Sequence, residues 1–204
     1  METAITFSCQ DLTLEGRLAT ESPAKCAVIA HPHPLYGGNM DNPVVRTVAE
    51  AYRSTGWSTL RFNFRGTGAS QGRHDNGQGE QKDVEAALAY LSSIGFECID
   101  LTGYSFGAWV LAQWAHRHPK HPHGIRMVAP PVAFMDFSNI RNIPGLRQVM
   151  VGSLDDIAPS RKIHAMMHTW EAQAELDIIQ QADHFFGGYM EELHRVVEQR
   201  LTDP

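Results

Sequence analysis

Ser105 stands in the run Gly103-Tyr104-Ser105-Phe106-Gly107. The pattern G-x-S-x-G puts a serine at the apex of a sharp turn from strand to helix. The two glycines lack a Cβ, so the backbone can turn tightly and neighbouring elements can come close. Alone, the pentapeptide fits an ordinary glycine-flanked turn as well as a nucleophile. A serine hydroxyl needs a base to take its proton, and the base needs an acid to orient it. Both types follow in the chain: Asp155 and Asp156 come after the apolar run 148–151, and His184 comes after the run 175–179. Upstream, His31-Pro32-His33-Pro34 follows the apolar run 26–30.

Each of these residues therefore follows a short apolar run, and the elements that hold them can be read in order. Residues 3–7 and 12–18 alternate apolar with polar, which predicts an opening antiparallel hairpin with one buried face. Residues 26–30 are continuously apolar, as in a central parallel strand covered on both faces. Residues 31–38 are too rich in Pro and Gly for helix or strand. Asp41 or Asn42 can cap a helix with Pro43 at its first position and its end near Gly56. A strand is predicted over 58–64, then a polar, glycine-rich surface loop over 65–79, then a helix over 83–91 that begins at Asp83. Strands over 98–102, 125–129, 148–151 and 175–179 and helices over 106–116 and 160–172 follow, with a last helix carrying Met190, Leu193, Val197 and Leu201. Strands alternating with helices from residue 26 onward predict an α/β fold: a mostly parallel sheet with helices on both faces. Ligands of such sheets bind outside the carboxyl ends of the strands, where the serine, the acids and the histidines all fall.

The chain has 204 residues, 43% of them hydrophobic and 20% charged, which predicts one domain over 1–204 with a sizeable core. A formal charge of -6 argues against a nucleic-acid partner, which calls for a basic face. No apolar run has the length of a membrane span, and the first residues lack the basic and apolar segments of a signal peptide. A cytoplasmic protein with no membrane partner is expected. Cys26 and Cys98 lie in or beside apolar runs and are expected as reduced core residues.

The longer motifs are more specific. They are 31–42 (His31-Pro32-His33-Pro34-Leu35-Tyr36-Gly37-Gly38-Asn39-Met40-Asp41-Asn42), 63–72 (Asn63-Phe64-Arg65-Gly66-Thr67-Gly68-Ala69-Ser70-Gln71-Gly72), the serine pentapeptide, Gly152-x-x-Asp155-Asp156-x-x-Pro159, and Ala182-Asp183-His184-Phe185-Phe186. On these the chain resembles an α/β-hydrolase of the dienelactone-hydrolase-like group, the small lidless hydrolases of bacteria, over nearly its whole length. The order serine, acid, histidine is that of the α/β-hydrolases. The resemblance implies that Ser105 is the nucleophile, His184 the general base and then acid, and Asp155 the orienting acid. Asp156 is the rival for that place and otherwise a helix cap. It also implies an oxyanion hole from the backbone N–H of Phe106 and a second N–H from the loop after the first parallel strand. Alignment of His31-Pro32-His33 on the family's H-G-x loop favours His33, with Leu35 as the fallback, since Pro34 has no N–H. No cofactor and no metal are implied.

Other chemical-looking residues have plainer readings. His116, His118, His121 and His123 are expected as a solvated helix end and loop rather than a metal site. His164 and His168 lie four apart on a helix without the glutamate of H-E-x-x-H, and are expected on the surface. Arg65-Gly66-Thr67-Gly68 lacks the Lys-Ser/Thr end of a P-loop. Trp109 and Trp114 are expected as packing residues, and Asp183 as a solvated or turn-forming side chain.

Only about 17 residues separate Pro130 from Gln148, too few for a folded cap. A shallow, open site is therefore expected, lined by Leu35, Tyr36, Phe134 and Phe137. The function implied is a serine hydrolase that cleaves a carboxylic ester, or related acyl bond, of a small-molecule substrate through an acyl-enzyme. A thioesterase, a small-peptide acyl hydrolase and a non-catalytic binding protein of the same fold are the alternatives.

Overall fold

The computed structural model describes residues 1–121 and 123–202. The strands are β1 (Glu2–Cys9), β2 (Leu12–Ala19), β3 (Lys25–Ala30), β4 (Ser58–Phe62), β5 (Cys98–Tyr104), β6 (Gly124–Val128), β7 (Leu146–Gly152) and β8 (Glu175–Ile179). The helices are α1 (Pro43–Ser54), α2 (Gln78–Ser93), α3 (Phe106–Arg117), α4 (Ser160–Trp170) and α5 (Met190–Thr202). All eight strands join one sheet in the order β1-β2-β4-β3-β5-β6-β7-β8. β1 and β2 form the antiparallel hairpin, and β2 lies antiparallel to β4. From β4 through β3, β5, β6, β7 to β8 every pairing is parallel. All these carboxyl ends therefore open on the same side.

Helices cover both faces; α1 packs on α5 and α2 packs on α3. Val44, Val48 and Tyr52 of α1 and Val110, Leu111 and Trp114 of α3 enter the core around β3 and β5. The cap of α1 is Asn42, whose side chain accepts from Val44 N–H at 2.9 Å, and Pro43 fills the first helical position. No helix among the described residues is long and apolar enough to cross a membrane.

Several sequence expectations are corrected. Residues 34–36 form a 3₁₀ turn inside the Pro- and Gly-rich stretch. β4 ends at Phe62, because the Phe64 N–H leaves the ladder and donates to His31 Nε2 at 3.0 Å. Segment 65–79 is not all surface: Arg65, Thr67 and Ser70 are buried. α2 begins at Gln78, where the Glu80 carboxylate accepts from Asp75 N–H at 2.9 Å and Gly77 N–H at 2.7 Å. Asp83 is therefore not a cap but lies within the helix, fully buried. It accepts from the Arg65 N–H at 2.9 Å and from the Arg65 guanidinium at 2.7 and 3.0 Å. The pair brings a charge into the core with its partner already bound, as a buried charge requires. Cys26 is buried as expected, but Cys98 is exposed and Cys9 is the second buried thiol.

Candidate active site

Ser105 connects β5 to α3 with φ 52° and ψ −113°, a left-handed backbone that a side-chain-bearing residue adopts only under strain. The surroundings enforce it. The Ser105 N–H is tied to Val128 O of the neighbouring strand at 2.9 Å. A Cβ at Gly103 would collide with the backbone of Gly107, and one at Gly107 with the Ala30 carbonyl, so both flanking glycines are required. The serine is thus held at the carboxyl edge of the sheet, at the head of a twelve-residue helix whose first N–H groups lack intrahelical acceptors.

Ser105 Oγ lies 3.0 Å from His184 Nε2, and His184 Nδ1 lies 2.8 Å from Asp155 Oδ2. The carboxylate makes Nδ1 the protonated nitrogen of the neutral ring, which leaves Nε2 as the acceptor for the serine hydroxyl. Asp155 is itself fixed: its Oδ1 accepts from Ile157 N–H at 2.9 Å and Ala158 N–H at 2.7 Å. Asp156, its rival from the sequence, is exposed. The loops carrying Asp155 and His184 are joined through Leu154 N–H, which donates to Ala182 O at 2.9 Å. Asp183 is exposed and forms a local turn by accepting from Phe185 N–H at 3.0 Å.

Two residues support the site: Tyr104, which sequence reasoning misses, and His31, whose structural role its place in the loop suggests. Tyr104 donates its hydroxyl to the His184 carbonyl at 3.0 Å, and burial pushes its pKa up, so it stays a donor. His31 is fully buried, with Nδ1 2.6 Å from Pro32 O and Nε2 accepting from Phe64 N–H. These partners make Nδ1 the proton-bearing nitrogen. Burial lowers the His31 pKa from 6.5 to about 4, so the ring stays neutral. His31 therefore clamps the loop after β3 to the loop after β4. The order of β3 and its loop hints at a structural histidine, but its partners lie across the sheet and leave no mark in the local sequence.

The clamped loop presents His33. Its N–H donates to no acceptor among the described residues, and it borders the same cavity as Ser105 and Phe106. The Leu35 N–H, the fallback donor, is engaged by His33 Nδ1 at 3.3 Å. His33 is half-buried, and its pKa is lowered by burial and by the neighbouring His74.

The cavity measures about 460 Å³. Tyr36 and Phe134 line it as expected, together with Pro131, Met135, Ile157 and Phe185. Leu35 and Phe137 do not. Leu35 projects into solvent, and Phe137 is buried against Trp170 with ring centroids 5.3 Å apart, because its segment turns back toward α4. Trp109 flanks the site, its indole N–H donating to Asp136 O at 2.8 Å. Among the described residues no cap covers the cavity: the connection from β6 to β7 is a loop with three short turns, the first closed by Met135 N–H on Pro131 O at 2.7 Å and the second by Ile140 N–H on Phe137 O at 3.0 Å.

A parallel sheet with an opening hairpin, a strained serine at the tip of β5 and no lid defines an α/β-hydrolase fold. The chain is 35% identical to an uncharacterized protein of Rickettsia prowazekii, over 97% of this chain and 87% of that one. It is similar to an α/β serine hydrolase homologue of Coxiella burnetii, with 33% identity, a TM-score of 0.89, and 98% and 97% of the two chains covered. A lidless α/β serine hydrolase of Xanthomonas campestris aligns with a TM-score of 0.88 and 29% identity, over 98% of this chain and 93% of that one. No protein-family model matches. The chain belongs to the α/β serine hydrolases, and its class is hydrolase.

Proposed function

We infer that the protein is a serine esterase that hydrolyses small carboxylic esters through an acyl-enzyme. The observation that carries this function is the continuous chain from Asp155 through His184 to Ser105 Oγ, ending in an open cavity. Ser105 Oγ attacks the acyl carbonyl while His184 Nε2 takes its proton. The imidazolium formed is stabilised by Asp155, which stays ionised. The oxyanion of the tetrahedral intermediate is received by the N–H groups of His33 and Phe106, at the head of α3. Collapse expels the alcohol, protonated by His184. Water, deprotonated by the same nitrogen, then attacks the acyl-serine; collapse breaks the bond to Ser105 Oγ, which takes the proton back from His184, and the carboxylic acid leaves. Thioesters and amides would pass through the same positions.

The test is steady-state and burst kinetics on p-nitrophenyl esters from acetate to long-chain acyl groups. A burst of about one nitrophenol per active site on acetate, absent in Ser105→Ala, is expected, with kcat/KM falling for long chains that the open cavity leaves in water. Full activity in Ser105→Ala would overturn the assignment of the nucleophile.

A further inference from the structure

The chemistry at Ser105 leaves the substrate open, and the walls of the cavity narrow it. Apolar and aromatic side chains dominate: Tyr36, Phe106, Phe134, Met135, Ile157 and Phe185. No Lys, Arg, Asp or Glu borders it among the described residues. The ammonium group of Lys162 is held by the Val132 carbonyl instead.

Three of the rings are unusually open to solvent: Tyr36 is 74%, Phe134 62% and Phe185 65% exposed. They come from separate loops, after β3, β6 and β8. Exposed apolar side chains scattered singly are ordinary, but a convergence on one cavity mouth marks a binding surface. Tyr36 and Phe134 meet edge to face with centroids 6.1 Å apart, bridging two sides of the mouth. Phe185 stands at 88° to the His184 imidazole, with centroids 5.5 Å apart. A flat ring entering here finds the offset and edge-on partners that aromatic groups prefer. An anion entering here finds no Lys or Arg to pair with and approaches the Asp155 carboxylate behind His184.

Resting on the assignment of Ser105 as nucleophile, the geometry points to a specific substrate class: esters whose acyl group is uncharged and carries an aromatic ring, seated among Tyr36, Phe134 and Phe185. Phe134 is the residue that sets this preference, and carboxylate-bearing acyl groups are excluded.

The experiment compares p-nitrophenyl benzoate, pentanoate and hemisuccinate. Each kcat/KM is divided by that ester's rate with hydroxide, and enzyme is counted by titration with a fluorophosphonate. Benzoate should exceed pentanoate by roughly five- to tenfold, the worth of one good aromatic contact. Hemisuccinate should fall below pentanoate by about a hundredfold or more, for want of a counter-charge. Phe134→Ala should bring the benzoate-to-pentanoate ratio toward one. Phe134→Lys should raise the hemisuccinate-to-pentanoate ratio by about tenfold by supplying the missing cation. Phe134 is exposed, so both variants should fold, which thermal melts check. Equal normalised rates for benzoate and pentanoate, a ratio unmoved by Phe134→Ala, or hemisuccinate matching pentanoate would overturn the inference while the esterase stands. No turnover of any ester, with no titratable serine, would overturn both.

Discussion

Two groups of histidines sit at opposite ends of the parallel strands. His31, His33 and His184 follow the carboxyl ends of β3 and β8, whereas His121 and His123 precede the amino end of β6. At the carboxyl end, His31 and His184 each have a different partner on each ring nitrogen, so their proton is placed, and His184 opens on a cavity. At the amino end the His118 ring stacks on Trp114 and the His121 ring lies tilted against it, each with centroids 4.9 Å away, and His123 lies at 6.2 Å. His123 Nδ1 meets Ile99 O at 3.1 Å, and His121 Nδ1 accepts from the His123 N–H at 3.1 Å. His121 and His123 are half-buried packing rather than the solvated loop expected from the composition, whereas His118 is exposed, as expected of a solvated helix end. No group of three or more His, Cys, Asp or Glu among the described residues is placed to hold a metal ion. Histidine density is therefore a poor guide to chemistry. A buried acid on one ring nitrogen and a serine hydroxyl on the other separate the two ends.

The contrast can be broken most forcefully at Asp155. In Asp155→Asn the side-chain oxygen should keep its two backbone donors, Ile157 and Ala158 N–H, which turns the amide NH₂ toward His184 Nδ1. The ring is then forced into the tautomer with a proton on Nε2, which cannot receive one from Ser105. Esterase kcat should fall by about 10⁴-fold, with little change in the melting temperature. A loss below tenfold would remove Asp155 from its proposed role.

The next test titrates the clamp at His31. Its pKa is lowered from 6.5 to about 4 by burial, so between these values the unfolded chain binds a proton that the folded chain does not. Stability is thus complete above pH 6.5 and declines as pH falls toward 4, by about 3 kcal/mol from this residue. His31→Gln retains a donor and an acceptor but cannot titrate. Urea unfolding from pH 7 to 4 should show a shallower decline than in wild type. Parallel curves would contradict the buried neutral imidazole.

At the other end of the sheet the outcome should invert. His121→Ala removes a ring packed against Trp114 and should cost about 1 kcal/mol, lowering the melting temperature by roughly 2–4 °C. Its kcat/KM should stay within about twofold of wild type, since surface-side changes remote from the chemistry rarely couple to it. A large loss of activity would show that the two ends are linked. The smallest effect concerns strain: Ser105→Gly should be more stable than Ser105→Ala by about 1 kcal/mol, because glycine adopts positive φ without penalty. Equal stabilities would mean that the turn carries no strain.

The sheet, its hairpin and the order of the helices are legible in the sequence, because the hairpin strands alternate apolar with polar, the central strands are short apolar runs, and each chemical residue follows a strand. β8 is readable to the residue. The choice of Asp155 over Asp156 is legible only through the family's register after Gly152; its physical reason, the Ile157 and Ala158 amides that receive the Asp155 carboxylate, leaves no mark in the spacing. Segment 65–79 misleads because its charge is cancelled by Asp83, and local polarity cannot reveal a partner in another element. Phe137 misleads for the converse reason: an apolar residue in a loop near the site finds its partner in α4 instead. The Tyr104 hydroxyl and the His31 ring are hidden in the same way, each bonded to backbone of a distant loop.

The central claim is that Ser105 is a nucleophile activated by His184. Labelling with a fluorophosphonate, followed by intact-mass measurement and peptide mapping, tests it directly. One adduct per chain on Ser105 is expected in the wild type, none in Ser105→Ala, and strongly slowed labelling in His184→Ala. A folded wild type that takes no label, or an adduct that persists in Ser105→Ala, would contradict the account.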